Sequence, residues 1–342
     1  MIPEGALDIS VVIPTYNRAA QLRPVLESLL SQDAGDVRYE VIVVDNNSTD
    51  DTRGVVTDMI GRAMPGLLRY VFEPRRGVSY ARNTGVEQAH PLSPIIAFLD
   101  DDGVPVQDWV RGMKRAFDEH PDVDCIGGRI RPLWTTPPPR WMSPAHAGPL
   151  ALQDRPKPAR LDSANASSCL LSANLACRRS VFSEVGGFSP RYPRNQDREF
   201  EMRLWRAGKR GLYLPDMDVV VEVPADRLTK AYHRRWQATT GSYHALMRFR
   251  DTVDSSGRMV AETTVRRRWL GAPLFLYREC FQHAAGWCTA TLRRDAPQRF
   301  FHESRLWYYK GFFATRLKTD VATRFRIPGR RAAARRLPRV SV

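Results

Sequence analysis

Ile95-Ile96-Ala97-Phe98-Leu99-Asp100-Asp101-Asp102 sets five apolar residues directly against three carboxylates. A short apolar run closed by a polar turn predicts a strand buried on both faces. Three adjacent carboxylates repel one another, so a fold tolerates them where they are exposed or share a cation. Alternate side chains of an extended segment share a face, so Asp100 and Asp102 are expected to point together. Hard carboxylate oxygens spaced that way suit Mg²⁺ or Mn²⁺, which keep waters and share ligands with a substrate diphosphate. The other reading is a solvated acidic turn; the strand in front of the run favours the metal.

Working outward, Ile9-Ser10-Val11-Val12-Ile13 ends at Pro14, and Val41-Ile42-Val43-Val44 ends at Asp45-Asn46-Asn47-Ser48. Between them Leu22, Val25, Leu26, Leu29 and Leu30 recur at helical spacing. Strand, helix and strand within about 35 residues form a βαβ unit, which feeds a parallel sheet through a right-handed crossover. Leu68 to Phe72 predicts a further strand and Ser79 to Ala89 a helix. Ligands of open α/β sheets sit outside the carboxyl ends of the strands. Asp45 and Asp100-Asp101-Asp102 both fall on that edge.

Trp109 to Phe117 reads as a helix, and Pro132 to Pro158, with Pro137-Pro138-Pro139, as a long surface loop. Helices are expected over Arg179 to Val185, stopping at Gly186-Gly187, and over Asp197 to Ala207, stopping at Gly208. From about Leu228 the pattern is helices joined by basic turns. Neither Gly-x-Gly-x-x-Gly nor a P-loop occurs, so phosphate contacts must come from elsewhere. Arg75, Arg76 and Gly77 precede a helix that carries Arg82 and Asn83, an arrangement suited to anions. Asp197 opens its helix, where an Asp is ordinarily a cap.

Six segments in order resemble the family 2 glycosyltransferases, which have a GT-A fold: Ser10 to Arg18, Val41 to Asp50, Gly77 to Gly85, Phe98 to Asp102, Ala173 to Arg178 and Gln196 to Gly208. The resemblance covers roughly residues 8 to 225 and implies a sugar-nucleotide-dependent, inverting transferase with an α/β nucleotide-binding sandwich. By resemblance, Pro14, Thr15, Tyr16, Asn17 and Asp45 line the nucleoside pocket, and Arg82 with Asn83 lies near the donor phosphates. Asp100, Asp101 and Asp102 supply the Asp-x-Asp element, Asp100 and Asp102 holding Mg²⁺ or Mn²⁺. Asp197 matches the catalytic base. Two positions depart from the pattern. Gln196 stands where the family has Glu, and no His follows the Gly208 helix at its usual distance, so Glu222 or His233 is expected to substitute.

The whole chain has 342 residues and a net charge of +15, but the charge is uneven. From Arg266 to Val342 there are 18 basic and 4 acidic residues; the first 265 residues hold 34 basic and 33 acidic. A near-neutral body with a basic attachment argues against reading the chain as a nucleic-acid binder. We therefore expect a catalytic domain over 1–225 and a helical, basic, aromatic-rich region over 226–342. In that region Leu270, Leu274, Tyr277, Phe281, Ala284, Ala285 and Cys288 form one apolar series. Phe300, Phe301, Trp307, Tyr308, Phe312 and Phe313, with Arg305, Lys310 and Arg316, form a second. Such series suit an anionic membrane surface or an ordinary core. The tail after Ile327 is expected to fray.

Five cysteines without zinc or redox spacing read as free thiols of a reducing compartment. No leader is seen in MIPEGALDIS, and Leu270 to Leu292 is too interrupted to span a bilayer. The expected location is cytoplasmic, at the inner face of a bacterial membrane, with a saccharide or lipid-linked saccharide as acceptor. The oligomeric state is not legible.

Overall fold

The computed structural model describes residues 7–261 and 268–324, the last five as backbone. The expected fraying beyond Ile327 lies outside the described residues. Two compact units are present. One comprises the described chain up to Leu133 together with Ala151–Glu222, the other Trp134–Leu150 and the described chain from Val223 onward.

The first unit is α/β. Its sheet is parallel across β3 (Leu68–Phe72), β2 (Tyr39–Asp45), β1 (Ile9–Thr15) and β4 (Ile95–Leu99). β1 and β4 are buried throughout, which is why both read as unbroken apolar runs. The sheet continues through β8 (Asn174–Arg178), β6 (Cys125–Trp134), β9 (Gly211–Val223) and β5 (Gly103–Pro105), and β7 (Ala159–Leu161) pairs with β9. β8 pairs antiparallel with both β4 and β6, and β9 antiparallel with both β5 and β7. The helices α1 (Ala19–Leu30), α2 (Thr52–Arg62), α3 (Val78–Gln88), α4 (Trp109–Glu119), α5 (Ser180–Val185) and α6 (Gln196–Arg206) complete the unit.

Register brings the site together. β1 and β2 stop level, Thr15 opposite Asp45. Val12 pairs with Phe98, so the same register carried past β4 sets Asp101 beside Thr15. α3 lies close on this sheet because Gly85 has no side chain: a methyl there would collide with Val12.

The second unit is helical, with α7 (Lys230–Leu246), α8 (Phe249–Thr252), α9 (Leu274–Leu292) and α10 (Ala296–Arg324) plus a two-stranded ribbon, β10 (Arg268–Trp269) and β11 (Ala272–Pro273). α7 and α10 touch backbone to backbone at Gly241 and Gly311, where a methyl would meet the carbonyls of Tyr308 and Ala238. The stretch expected to be a surface loop does something further here. Its Trp134–Leu150 portion belongs to this unit and buries His146, Pro149 and Leu150. Apolar and aromatic residues inside a Pro-rich segment supply area worth burying, which loop chemistry alone conceals. All five cysteines are free thiols.

Candidate active site

Asp45 ends β2 and is buried. Its Oδ1 accepts the Ser48 N–H at 2.8 Å and its Oδ2 the Tyr70 hydroxyl at 2.7 Å, so the carboxylate is fixed without a cation. Asn46 bridges the neighbouring loop: its Nδ2 donates to the Arg75 carbonyl at 2.7 Å and its Oδ1 accepts from Gly77 N–H at 2.6 Å. Gly77 takes φ 134°, a conformation open to glycine, and α3 starts immediately after it. Asn17, also at positive φ, accepts from Thr49 N–H at 2.7 Å and donates its own N–H to Ser48 Oγ at 3.0 Å. Pro14 and Thr15 are buried; Tyr16 is exposed, with the Arg76 guanidinium 4.8 Å over its ring.

Arg82 is the hinge of the site. It is buried, yet its Nη2 donates to Asp100 Oδ1 at 2.9 Å and its Nη1 lies 3.8 Å from Asp197 Oδ1. Its Nε and Nη1 have no hydrogen-bond partner, and its guanidinium lies 5.4 Å over the Phe188 ring. Three separated stretches, the start of α3, the end of β4 and the start of α6, therefore meet on one side chain. Asn83, one residue on, is used differently. Its amide donates to and accepts from the Phe188 backbone, each at 2.8 Å, so it clamps the loop that carries that ring.

Asp197 accepts a hydrogen bond from the Ser172 hydroxyl. Burial pushes its carboxyl above the usual range; Arg82 and the Ser172 hydroxyl oppose that rise and Asp100 adds to it. Asp101 is pushed up to about 7, chiefly by burial, with the Thr15 hydroxyl holding it down and Asp102 and Asp100 raising it. Asp102 pairs with Arg18 at 3.6 Å. Arg75, expected at the anion site, is committed to Glu73 by two bonds of 2.8 and 2.7 Å. Arg75 and then the Thr84 hydroxyl draw the Glu73 carboxyl down to about 2 against burial.

Among the described residues no group of three or more His, Cys, Asp or Glu is arranged to hold a metal. Asp100 and Asp102 offer two hard carboxylates, which fits a cation that completes its shell from water and a substrate diphosphate. Of the two suggested substitutes for the missing His, Glu222 is exposed and sits one residue past the Gly103–Val221 pair, the register position opposite Asp102. His233 lies in the helical unit, its ring 5.1 Å from that of Trp141. Burial, with His146 adding to it, drives His233 down to about 4.

Sequence reasoning missed Ser172, Tyr70 and Glu73, whose local patterns do not mark them, and gave no role to Arg18, although it closes the first of the six segments; each contacts a residue expected at the site. Gln196, beside Asp197, keeps a buried Oε1 with no hydrogen-bond partner.

The parallel sheet with Asp45 and Asp100 at its strand ends, and Arg82 joining Asp100 to Asp197 on α6, is a GT-A type of arrangement. The model of the glycosyl transferase family 2 matches residues 10–186, just over half the chain, and the chain belongs to that family. Glycosyltransferase AglE of Haloferax volcanii is 37% identical over 123 residues, covering 36% of this chain and 39% of that protein. A glucosyl-dolichyl phosphate glucuronosyltransferase of the same organism is 26% identical over 197 residues, 57% of this chain and 60% of its own length. The chain thus spans less than two thirds of these curated relatives. The mannosyltransferase PcManGT of Pyrobaculum calidifontis, solved with GDP-Man and Mn²⁺, shares the fold with a TM-score of 0.56 at 20% identity, covering 95% of this chain and 89% of that one.

Proposed function

We propose that this chain transfers a sugar from a nucleoside-diphosphate sugar to a lipid-linked saccharide, with inversion at the anomeric carbon, in the synthesis of a surface or extracellular polysaccharide. The observation that carries the reading is Arg82 standing between Asp100 and Asp197. One acid faces the donor and the other the acceptor, and a buried cation with unused donors joins them.

Thr15 and Asp45 hold the nucleoside, with Pro14, Tyr16 and Asn17 shaping the pocket. Asp100 and Asp102 would hold Mg²⁺ or Mn²⁺, which supplies charge neutralisation for a departing diphosphate. Arg82 adds fixed positive charge on the same side. Asp197, raised by burial and oriented by Ser172, removes the proton from the acceptor hydroxyl as that oxygen attacks. Asn83 keeps Phe188 under the Arg82 guanidinium. The dolichyl phosphate in the name of one Haloferax relative supports a lipid-linked acceptor, and such an acceptor fits a peripheral position at the membrane.

Asp197→Asn tests the reading. Transfer is expected to fall by about 10²–10⁴-fold, while the thermal shift given by UDP, GDP, CDP or dTDP with Mn²⁺ survives. An Asp197→Asn enzyme near full activity removes the base. Donor binding without any turnover by the unaltered chain points instead to a sugar-nucleotide-binding protein, a reading that Gln196 favours by leaving the base without its acidic neighbour.

A further inference from the structure

The two apolar series of the helical region part company in the structure. On α10, Phe300, Tyr308, Tyr309 and Phe312 are buried, and Arg316 is buried against Asp251, so that helix is core. On α9 the burial is reversed. Leu276 and Ala290 face inward, while Leu274, Phe281, Ala285, Cys288 and Leu292 form a single exposed stripe, Phe281 at 74% and Leu292 at 86% exposure. The spacing i, i+7, i+11, i+14, i+18 keeps them on one face along the whole helix. The β10–β11 turn packs at the start of α9, the Trp269 ring 5.1 Å from that of Tyr277, and leaves Trp269 58% and Leu270 55% exposed. Leu270 adopts φ 44° in the tight turn between the Trp269–Ala272 pair.

The charge on this face is predominantly positive; Asp295, just after Arg293 and Arg294, is the exposed acid beside it and accepts from Gln298 N–H at 3.0 Å. Arg278 lies within the stripe and Arg293 and Arg294 follow its end, all exposed and none in an ion pair among the described residues. The one acid of α9, Glu279, is turned away, bonded by Arg250 at 2.8 and 2.9 Å and by the Tyr309 hydroxyl at 2.8 Å. A second copy of the chain would bring the same arginines to both sides of a shared interface. Among the described residues no helix is long and apolar enough to cross a membrane. An apolar stripe flanked mainly by cations suits the headgroup boundary of an anionic bilayer.

We infer that the α9 stripe and the Trp269-Leu270 turn form a docking surface for anionic lipid, entering the interface in-plane with Arg278, Arg293 and Arg294 at the headgroups. The inference rests on the peripheral placement proposed above and names the face responsible. The full chain is expected to partition onto phosphatidylglycerol–phosphatidylcholine vesicles at low salt, and several-fold less onto phosphatidylcholine alone. Phe281→Glu with Leu292→Glu is expected to lower that partition by about tenfold or more, with circular dichroism unchanged because both sites are exposed. Equal partition of this variant and the unaltered chain overturns the inference. So does a dimer, seen by sedimentation, that the same variant dissociates while no vesicle binding occurs. Donor hydrolysis measured in the same samples separates the readings: hydrolysis without vesicle binding removes the docking face alone, and vesicle binding without hydrolysis removes the catalytic assignment alone.

Discussion

Arg82 and Arg316 are both buried cations, each 2% exposed, and they are used in opposite ways. Arg316, on α10, gives Nη2 to Asp251 at 3.1 Å and to the Gly271 carbonyl at 2.5 Å, and Nε to the same carbonyl at 3.2 Å. Asp251, wholly buried, also meets Arg268 at 2.9 Å. Arg82 gives one nitrogen to Asp100 and leaves Nε and Nη1 without hydrogen bonds, between acids that water still reaches. An unused buried donor costs free energy. In the reading proposed above a ligand takes up the free donors of Arg82, whereas Arg316 is enclosed by its partners.

The contrast breaks most sharply at Arg316. Arg316→Met leaves Asp251 short of a buried partner, and the helical unit is expected to lose about 3–5 kcal/mol, read as earlier urea unfolding of α7 and α10 by hydrogen exchange. Little change there would mean that the pair contributes no structure. Arg82→Met should do the reverse. Transfer is expected to fall about 10²–10³-fold with the melting temperature nearly held, because Asp100 and Asp197 remain partly solvated. An Arg82→Met chain that unfolds while retaining its specific activity would make Arg82 a second Arg316.

Acid sharpens the comparison by a smaller amount. Glu201 of the first unit is wholly buried and is pushed up to about 7, chiefly by burial; His233 of the second is pushed down to about 4 by the same cause. The raised group contributes stability that is present below about 4.5 and is lost as pH rises through about 7. The depressed group contributes stability that is present above about 6.5 and is lost as pH falls through about 4. Between pH 6.5 and 4.5 each is worth at most about 1.4 kcal/mol per pH unit, with opposite signs. Hydrogen exchange should therefore show the His233 helix loosening on acidification while the Glu201 helix tightens. Glu201→Gln should weaken the second trend, Asp197 on the same helix being raised as well, and the same slope in both units would refute it.

How much was legible follows from where the information sat. β1, β2 and β4 were readable because a strand buried on both faces must be apolar throughout, and acids right behind such a run mark a sheet edge. α2 was missed although Val55, Val56 and Met59 keep helical spacing, because Gly54 and Gly61 weaken the helix signal. β9 was missed because Pro215, Asp216 and Asp218 interrupt its pattern; pairing with β5 and β7 supplies what local preference lacks. Of the site, the acids and Arg82 stood in recognisable segments. Ser172 and Tyr70 did not, since a hydroxyl that orients a carboxylate from far along the chain has no local signature.

By itself the sequence determined the parallel strands, the acids at their ends and the surplus of positive charge late in the chain, since each follows from residue type and short-range spacing. Tertiary structure alone decided which arginine is enclosed and which keeps idle donors, which of the two aromatic helices is core, and that Trp134–Leu150 joins the helical unit. Those outcomes depend on what lies across from a side chain in space, and periodicity along one helix is blind to that.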